Sequence, residues 1–321
     1  MPERRPPPRR SRTVHRAVPG LPVGPVGIST GTVEVVRDAH RPTSVTVLVN
    51  GVPSSQLDLE DPTWLEFEYM QQMTVLIDRL TEGPLDAVHL GAAGCALPRW
   101  VDATRPGSRQ LAVDVDTELL TLVRGWFDLP RSPRLRLRPG DAREVLAGLP
   151  TASADLIIRD VFAPDTTPDH LCTAEFVAQV ARVLRPGGLY LANCADRPPL
   201  ALARAEAATV AAAMETAVVA EPGQLKGRRY GNIVLAALAP VPPAGRGEAW
   251  TGDDRLDAAA LARALRSLPM PVHLLRGADL AAFLGPASPL RDPQVAQAPG
   301  GTPADVDEAA SRWDAASSAK Q

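Results

Sequence analysis

Residues 85–97 read LDAVHLGAAGCAL. The apolar run Ala87-Val88-His89-Leu90 stops at Gly91, passes through the small residues Ala92, Ala93, Gly94 and Cys95, and gives way to a helical pattern from Ala96. A strand, a tight turn of small residues and a helix start bring backbone N–H groups and a helix N-terminus close to a ligand. A bulky turn would hold that ligand off. Such turns also serve plain strand–helix packing, so this one gains its weight from the strands and acids downstream of it.

From residue 85 to residue 238, strand-like and helix-like stretches alternate. The apolar pattern predicts strands over 87–91, 110–114, 134–138, 154–160, 188–193, 217–221 and 232–238. Helices fit over 97–103, 117–127, 142–149, 173–184 and 201–214. The connection between the last two strands, PGQLKGRRYG (222–231), carries no helical pattern, which makes that pair antiparallel. Five strand–helix units closed by a hairpin form a doubly wound, Rossmann-like α/β sheet of seven strands, of the class I methyltransferase type.

Upstream, GTVEVVRD and TSVTVLVN are two β-rich runs separated by AHRP, and Asn50-Gly51 is a second turn signal. They predict a small antiparallel β-unit. In DPTWLEFEYMQQMTVLIDRL (61–80), Asp61 or Thr63 can cap an amphipathic helix with Pro62 in its first turn. Trp64, Phe67, Met70, Val75 and Ile77 would form its buried face, with Glu66 and Glu68 standing within it. Downstream, PVPPAGRG (240–247) is a linker by composition, DDRLDAAALARALRSL (253–268) has helical spacing, and ADLAAFL (278–284) fits a short helix. The expected organisation is a disordered tail over 1–28, the β-unit and its helix over 29–80, and the α/β domain over 81–240. A helical extension follows over 241–285, then a largely disordered tail over 286–321 with one short helix near 306–315.

With 321 residues, 45% of them hydrophobic, the chain is long enough to bury a large core. A formal net charge of −3 argues against a nucleic-acid partner. The only lysines are Lys226 and Lys320, so the positive charge is almost all arginine, which reads as the coding bias of a high-GC genome. Cys95, Cys172 and Cys194 have no CxxC spacing, which points away from a structural zinc site and a disulfide framework. No apolar run approaches the length of a membrane span, and no apolar core follows the N-terminal arginines, so a cytoplasmic location without membrane contact is expected.

In an open α/β sheet, ligands bind outside the carboxyl ends of the strands. The first strand here ends at Gly91, the second at Asp114-Val115-Asp116, the third at Gly140-Asp141-Ala142 and the fourth at Asp160. Asp116 and Asp141 serve equally well as helix caps. A carboxylate in the place of Asp114 can accept both ribose hydroxyl protons, and one in the place of Asp141 can accept from an adenine amino group. With no lysine by the turn and no Walker pattern, a nucleoside is favoured over a triphosphate. An adenosyl sulfonium fits these acceptors.

On these residues, 50–238 resembles the spermidine synthase (polyamine aminopropyltransferase) family, in particular its divergent members in high-GC bacteria. The resemblance lies in the Asn50-Gly51 turn before an acidic, aromatic stretch, the small-residue turn at 91–96, Asp114-Val115-Asp116, Gly140-Asp141-Ala142, and Asp155-Leu156-Ile157-Ile158-Arg159-Asp160. Arg185-Pro186-Gly187-Gly188 is shared with methyltransferases at large. The resemblance implies aminopropyl transfer from decarboxylated S-adenosylmethionine to an amine such as putrescine. Asp160 would be the general base, with Asp114 on the ribose, Asp141 on the adenine, and Gly91 and Gly94 in the cofactor-binding turn. It also implies a homodimer formed partly through the β-unit, a sulfonium co-substrate instead of a resident cofactor, and no metal.

Three positions depart from the family pattern. Ala163 replaces a second loop acid, Gly94 replaces the acid that grips the aminopropyl ammonium, and Trp64 best matches the tyrosine of the N-terminal helix. Asp165, Asp169, Glu66 and Glu68 are the acids left to hold an amine. Two alternatives stay open: an S-adenosylmethionine-dependent methyltransferase, which needs no acid at Gly94, and a catalytically inactive adenosyl-binding homologue. Cys95 and His89 read as packing residues, His170 as a surface residue within reach of the loop after Asp160, and Lys226, Arg228, Arg229 and Tyr230 as a solvated basic hairpin tip.

Overall fold

Alternating apolar residues give this sheet two buried faces. The computed structural model describes residues 20–162, 166–241, 255–256 and 258–293. Residues 1–290 form one unit; of the second unit, 291–321, the described residues 291–293 carry no helix or strand. The expectations for 1–19, 242–254, Asp165 and the helix near 306–315 lie outside the described residues.

The N-terminal unit is a four-stranded antiparallel sheet in sequential order: β1 (Val26–Ile28), β2 (Gly31–Arg37), β3 (Ser44–Val49) and β4 (Val52–Asp58). The expected tail is therefore too long at its inner end, since Val26–Ile28 pairs with β2. Asn50-Gly51 makes the β3–β4 turn, with positive φ at both residues.

Helix α1 (Glu68–Leu80) begins seven residues after Asp61. Asp61 instead closes a local turn, accepting from the N–H and hydroxyl of Thr63 at 2.9 and 2.6 Å. Phe67 stands at the N-cap position without a side-chain bond. The buried face is Tyr69, Met70, Gln72, Met73, Leu76, Ile77 and Leu80; Met70 and Ile77 of the expected set lie on it, Phe67 and Val75 are half-buried, and Trp64 precedes the helix and is exposed.

The larger sheet has the order β12-β10-β11-β9-β8-β5-β6-β7. Its strands are β5 (Asp86–Leu90), β6 (Arg109–Asp114), β7 (Leu135–Pro139), β8 (Ala154–Arg159), β9 (Leu184–Asp196), β10 (Glu215–Ala220), β11 (Gly231–Leu238) and β12 (His273–Leu275). β5 to β9 are parallel, β11 runs antiparallel to both β9 and β10, and β12 adds an unforeseen eighth strand antiparallel to β10. The strand order reverses at β5, so the crevice lies at the carboxyl ends of β6, β5 and β8.

One face buries Ala87, Ala112, Leu156, Ile158, Leu189 and Leu191 in the same cluster as Met73, Leu76 and Ile77 of α1. α2 (Ala96–Thr104), α3 (Thr117–Trp126) and α8 (Ala259–Arg266) add to that layer. The other face buries Val88, Leu90, Val113, Ile157, Tyr190 and Ala192 with residues of α4 (Ala142–Ala147), α5 (Ala174–Val183), α6 (Ala201–Ala211) and α9 (Gly277–Leu284). The β10–β11 connection holds a single helical turn, α7 (Pro222–Leu225), closed by reciprocal bonds between Glu221 and Gln224. That turn is too short to leave a periodic pattern. Residues 286–290, expected to be disordered, are tied down: Leu290 accepts from Ala174 N at 2.9 Å and donates to Thr209 Oγ1 at 2.8 Å. Among the described residues, no helix is long and apolar enough to cross a membrane.

Candidate active site

Side chains alternate along a strand, so residues two apart share a face. At the carboxyl edge of the large sheet, one face carries Asp114 as the last residue of β6, Gly91 after β5, Asp160 after β8 and Asn193 on β9. α1 and β4 cover this face. Gly91 has φ +90°, and a Cβ there would run into the carbonyl oxygen of Asp160. Only glycine lets β5 and β8 approach so closely at that point.

The half-buried carboxylate of Asp114 is held by three backbone donors. Oδ2 accepts from the N–H groups of Ala92 and Ala93 at 3.2 and 3.1 Å, and Oδ1 accepts from Asp116 N at 3.0 Å. Burial raises its pKa, against the pull of these bonds. The N–H groups of Ala92 and Ala93, which would cradle a phosphate, are thus committed to Asp114 Oδ2, and the carboxylate keeps one lone pair, on Oδ1, for a hydroxyl proton.

Asp160 is held by two side chains, one from α1 and one from β9. Tyr69 donates its phenol to Oδ2 at 2.8 Å, and Asn193 donates Nδ2 to Oδ1 at 2.9 Å. Burial pushes the Asp160 pKa upward, while the bonds from Asn193 and Tyr69 work the other way. Burial and the neighbouring charge of Asp160 push the Tyr69 phenol well above its ordinary range, so it stays a donor.

Asp116 and Asp141 are both caps. Asp116 accepts from Leu119 N at 2.8 Å and from the N–H and hydroxyl of Thr30 at 2.7 and 2.8 Å, latching the β1–β2 turn to α3. Asp141 Oδ1 accepts from Arg143 N and Glu144 N at 2.8 and 3.1 Å, and its Oδ2 pairs with His170 Nε2 at 2.8 Å. Exposed His170 is therefore engaged by Asp141.

Trp64 is 41% exposed and lies under the Arg41 guanidinium, 3.9 Å from the ring centroid. The aromatic residue that reaches Asp160 is Tyr69, which corrects the match to Trp64. Glu66, Glu68 and Asp169 are exposed. Ideal Cβ placement at Gly94 comes within 2.9 Å of Leu57 Cδ1 and of Ser55 Cβ and Oγ on β4, so a side chain there needs β4 to shift. Cys95 is buried, and burial drives its thiol up to about 12, which makes it a packing residue. The basic tip is partly engaged: Arg229 pairs with Glu221.

Sequence reasoning missed Tyr69 and Asn193. Tyr69 lies on the α1 face that includes Met73 and Leu76, and Asn193 is a lone amide inside the continuous buried run 188–195 of β9. A buried polar residue in line with a strand-end acid was the available signal.

The sheet order, the glycine turn at the switch point and the acids along one edge define a class I methyltransferase-type α/β protein. A family model described as S-adenosyl-L-methionine-dependent methyltransferase matches residues 115–196. A probable spermidine synthase from Corynebacterium glutamicum ATCC 13032 is 34% identical, with a TM-score of 0.75 over 88% of this chain and 100% of that one. The chain belongs to the spermidine synthase family. It is also 26% identical over 146 residues to a polyamine aminopropyltransferase of Chromobacterium violaceum, covering 43% of this chain and 53% of that protein. It is 27% identical over 162 residues to the eEF1A lysine and N-terminal methyltransferase of Bos taurus, covering 46% of this chain and 23% of that protein. The chain thus spans about half the length of the aminopropyltransferase it matches.

Proposed function

We propose that this protein is a spermidine synthase-like transferase that moves an aminopropyl group from decarboxylated S-adenosylmethionine to a small amine such as putrescine. The observation that carries the reading is Asp160, a half-buried carboxylate clamped by Tyr69 and Asn193 beside the Gly91 turn. In this reaction the amine nitrogen attacks the carbon beside the sulfonium. A C–N bond forms, the C–S bond breaks, and its electron pair stays on sulfur as a neutral thioether. The proton released by the amine needs an acceptor, and Asp160 is suited to take it because burial has already made its charged form less favourable. Tyr69 and Asn193 each occupy one oxygen, leaving one lone-pair direction per oxygen for the amine. Asp114 is assigned to the ribose hydroxyls and Asp141 to the adenine.

The match of residues 115–196 to a methyltransferase model and the closed space at Gly94 favour one second reading, methyl transfer from S-adenosylmethionine. One assay separates them. The protein is incubated with each sulfonium donor and putrescine, and products are read by mass spectrometry. Spermidine supports aminopropyl transfer, and S-adenosylhomocysteine supports methyl transfer. Neither product across a broad amine panel supports an inactive adenosyl-binding homologue. Assembly of two copies through the β-unit belongs to the same proposal and is tested by sedimentation.

A further inference from the structure

The aminopropyl transfer leaves His89 unused, yet this residue sits on β5 two positions before Gly91 and on the same face. It is 2% exposed. Its Nε2 lies 2.9 Å from Gln110 Oε1, and Gln110 Nε2 donates to Pro98 O at 3.0 Å. Because Gln110 spends its N–H on Pro98, its oxygen faces the imidazole. The hydrogen-bond chain therefore assigns the ring proton to Nε2 and leaves Nδ1 as a bare lone pair. Nδ1 is buried and has no partner among the described residues. Burial pushes the ring pKa down to about 4, so it is neutral and accepts hydrogen bonds.

His89 borders a small cavity of about 30 Å³ beneath the glycine turn, whose other walls include Ser54, Ser55, Met70, Ile158 and Asp160. That is room for a small polar group. The polar side chains around it are those of Asp160, Ser54, Ser55 and His89, whose Nδ1 is unpartnered, and no lysine or arginine lines it. Such a lining favours an ammonium group and disfavours a carboxylate. Gly94, where the family resemblance calls for the ammonium-gripping acid, is closed off by Ser55 and Leu57.

We propose that His89 Nδ1 is the acceptor that recognises the ammonium end of the donor's three-carbon arm, in place of the acid that cannot stand at Gly94. This rests on the aminopropyl-transfer reading of the site. His89 is a positioning and specificity residue and takes no part in the proton transfer itself.

Calorimetry on the full chain tests it with three adenosyl thioethers: 5′-methylthioadenosine, which has no amine, S-adenosyl-3-thiopropylamine, which has one, and S-adenosylhomocysteine, which adds a carboxylate. The wild type is expected to bind the propylamine about tenfold more tightly than methylthioadenosine, the scale of one hydrogen bond to a charged group. His89→Gln keeps a polar group toward Gln110 but places no acceptor at Nδ1. It should bring the ratio to about one while affinity for methylthioadenosine stays within about twofold. His89→Asn, whose Oδ1 stands near the Nδ1 position, should restore part of the ratio. A wild-type ratio retained in His89→Gln overturns the proposal, as does a wild type that does not discriminate. Loss of both ligands in both variants also overturns it and assigns His89 to the core. Wild-type preference for S-adenosylhomocysteine overturns the aminopropyl reading instead, and leaves the ratio in the variants to decide the role of His89.

Discussion

Each oxygen of the Asp160 carboxylate has one donor, from helix α1 on one side and strand β9 on the other. Asp160→Asn removes the base without removing volume, and should lower turnover by about 10²–10⁴-fold, the usual worth of general base catalysis. The same substitution should leave Tm unchanged or raise it at pH 7. Because burial raises the folded-state pKa of Asp160 above its unfolded value, its contribution to stability is present below the unfolded pKa and is lost as pH rises through the folded one. Any gain of the variant over wild type should therefore appear at pH 7 and vanish under acid conditions. A large loss of Tm at pH 7 would contradict this. Tyr69→Phe tests the clamp differently. It deletes a bond that favours the charged carboxylate, so the Asp160 pKa rises further and the acid limb of the pH–rate profile moves to higher pH. An unmoved limb would mean that Asp160 does not govern it.

At the scale of elements, strand β4 shapes the pocket as much as the glycine turn does. Gly94→Asp would insert the family's acid, but the new Cβ meets Ser55 and Leu57 at 2.9 Å. It should therefore destabilise the fold by about 1–3 kcal/mol through overpacking, with no gain in amine binding. Thermal melts and amine titration check both outcomes; an unchanged Tm with tighter amine binding would refute the packing argument. The strands and helices of the α/β domain were legible because period-2 and period-3.6 patterns are local. So were Asp114 and Asp160, because each ends an apolar run. The start of α1 was not, because Asp61 and Thr63 bond to each other in a local turn that competes with a helix cap. Nor was the Tyr69–Asp160 contact, which joins residues 91 apart through tertiary packing that no local window contains. The buried pair of Arg159 and Glu206, joining β8 to α6, was hidden for the same reason.

Across the whole molecule, the site draws its walls from the N-terminal unit and the α/β body together. Asp116 latches Thr30 of the β1–β2 turn, Tyr69 reaches Asp160 from α1, and Ser55 of β4 lies against the Gly94 turn. A ligand seated at that junction should stabilise both parts, because it binds the folded chain and not the unfolded one. At a concentration 100 times its Kd, 5′-methylthioadenosine should add about 2.7 kcal/mol, which on a chain of this length means a rise in Tm of several degrees. Asp114 is the residue on which that rise should depend. Asp114→Ala loses the acceptor for the N–H groups of Ala92, Ala93 and Asp116 and should lower the basal Tm as well. Asp114→Asn is the sharper variant. Its single amide oxygen can still take turn N–H groups, but its NH₂ cannot accept a ribose hydroxyl, so the ligand-induced rise should shrink while the basal Tm falls less than in the alanine variant. If wild type shows no rise with millimolar ligand, or if Asp114→Asn keeps the full rise, the adenosyl group does not bind at this edge of the sheet.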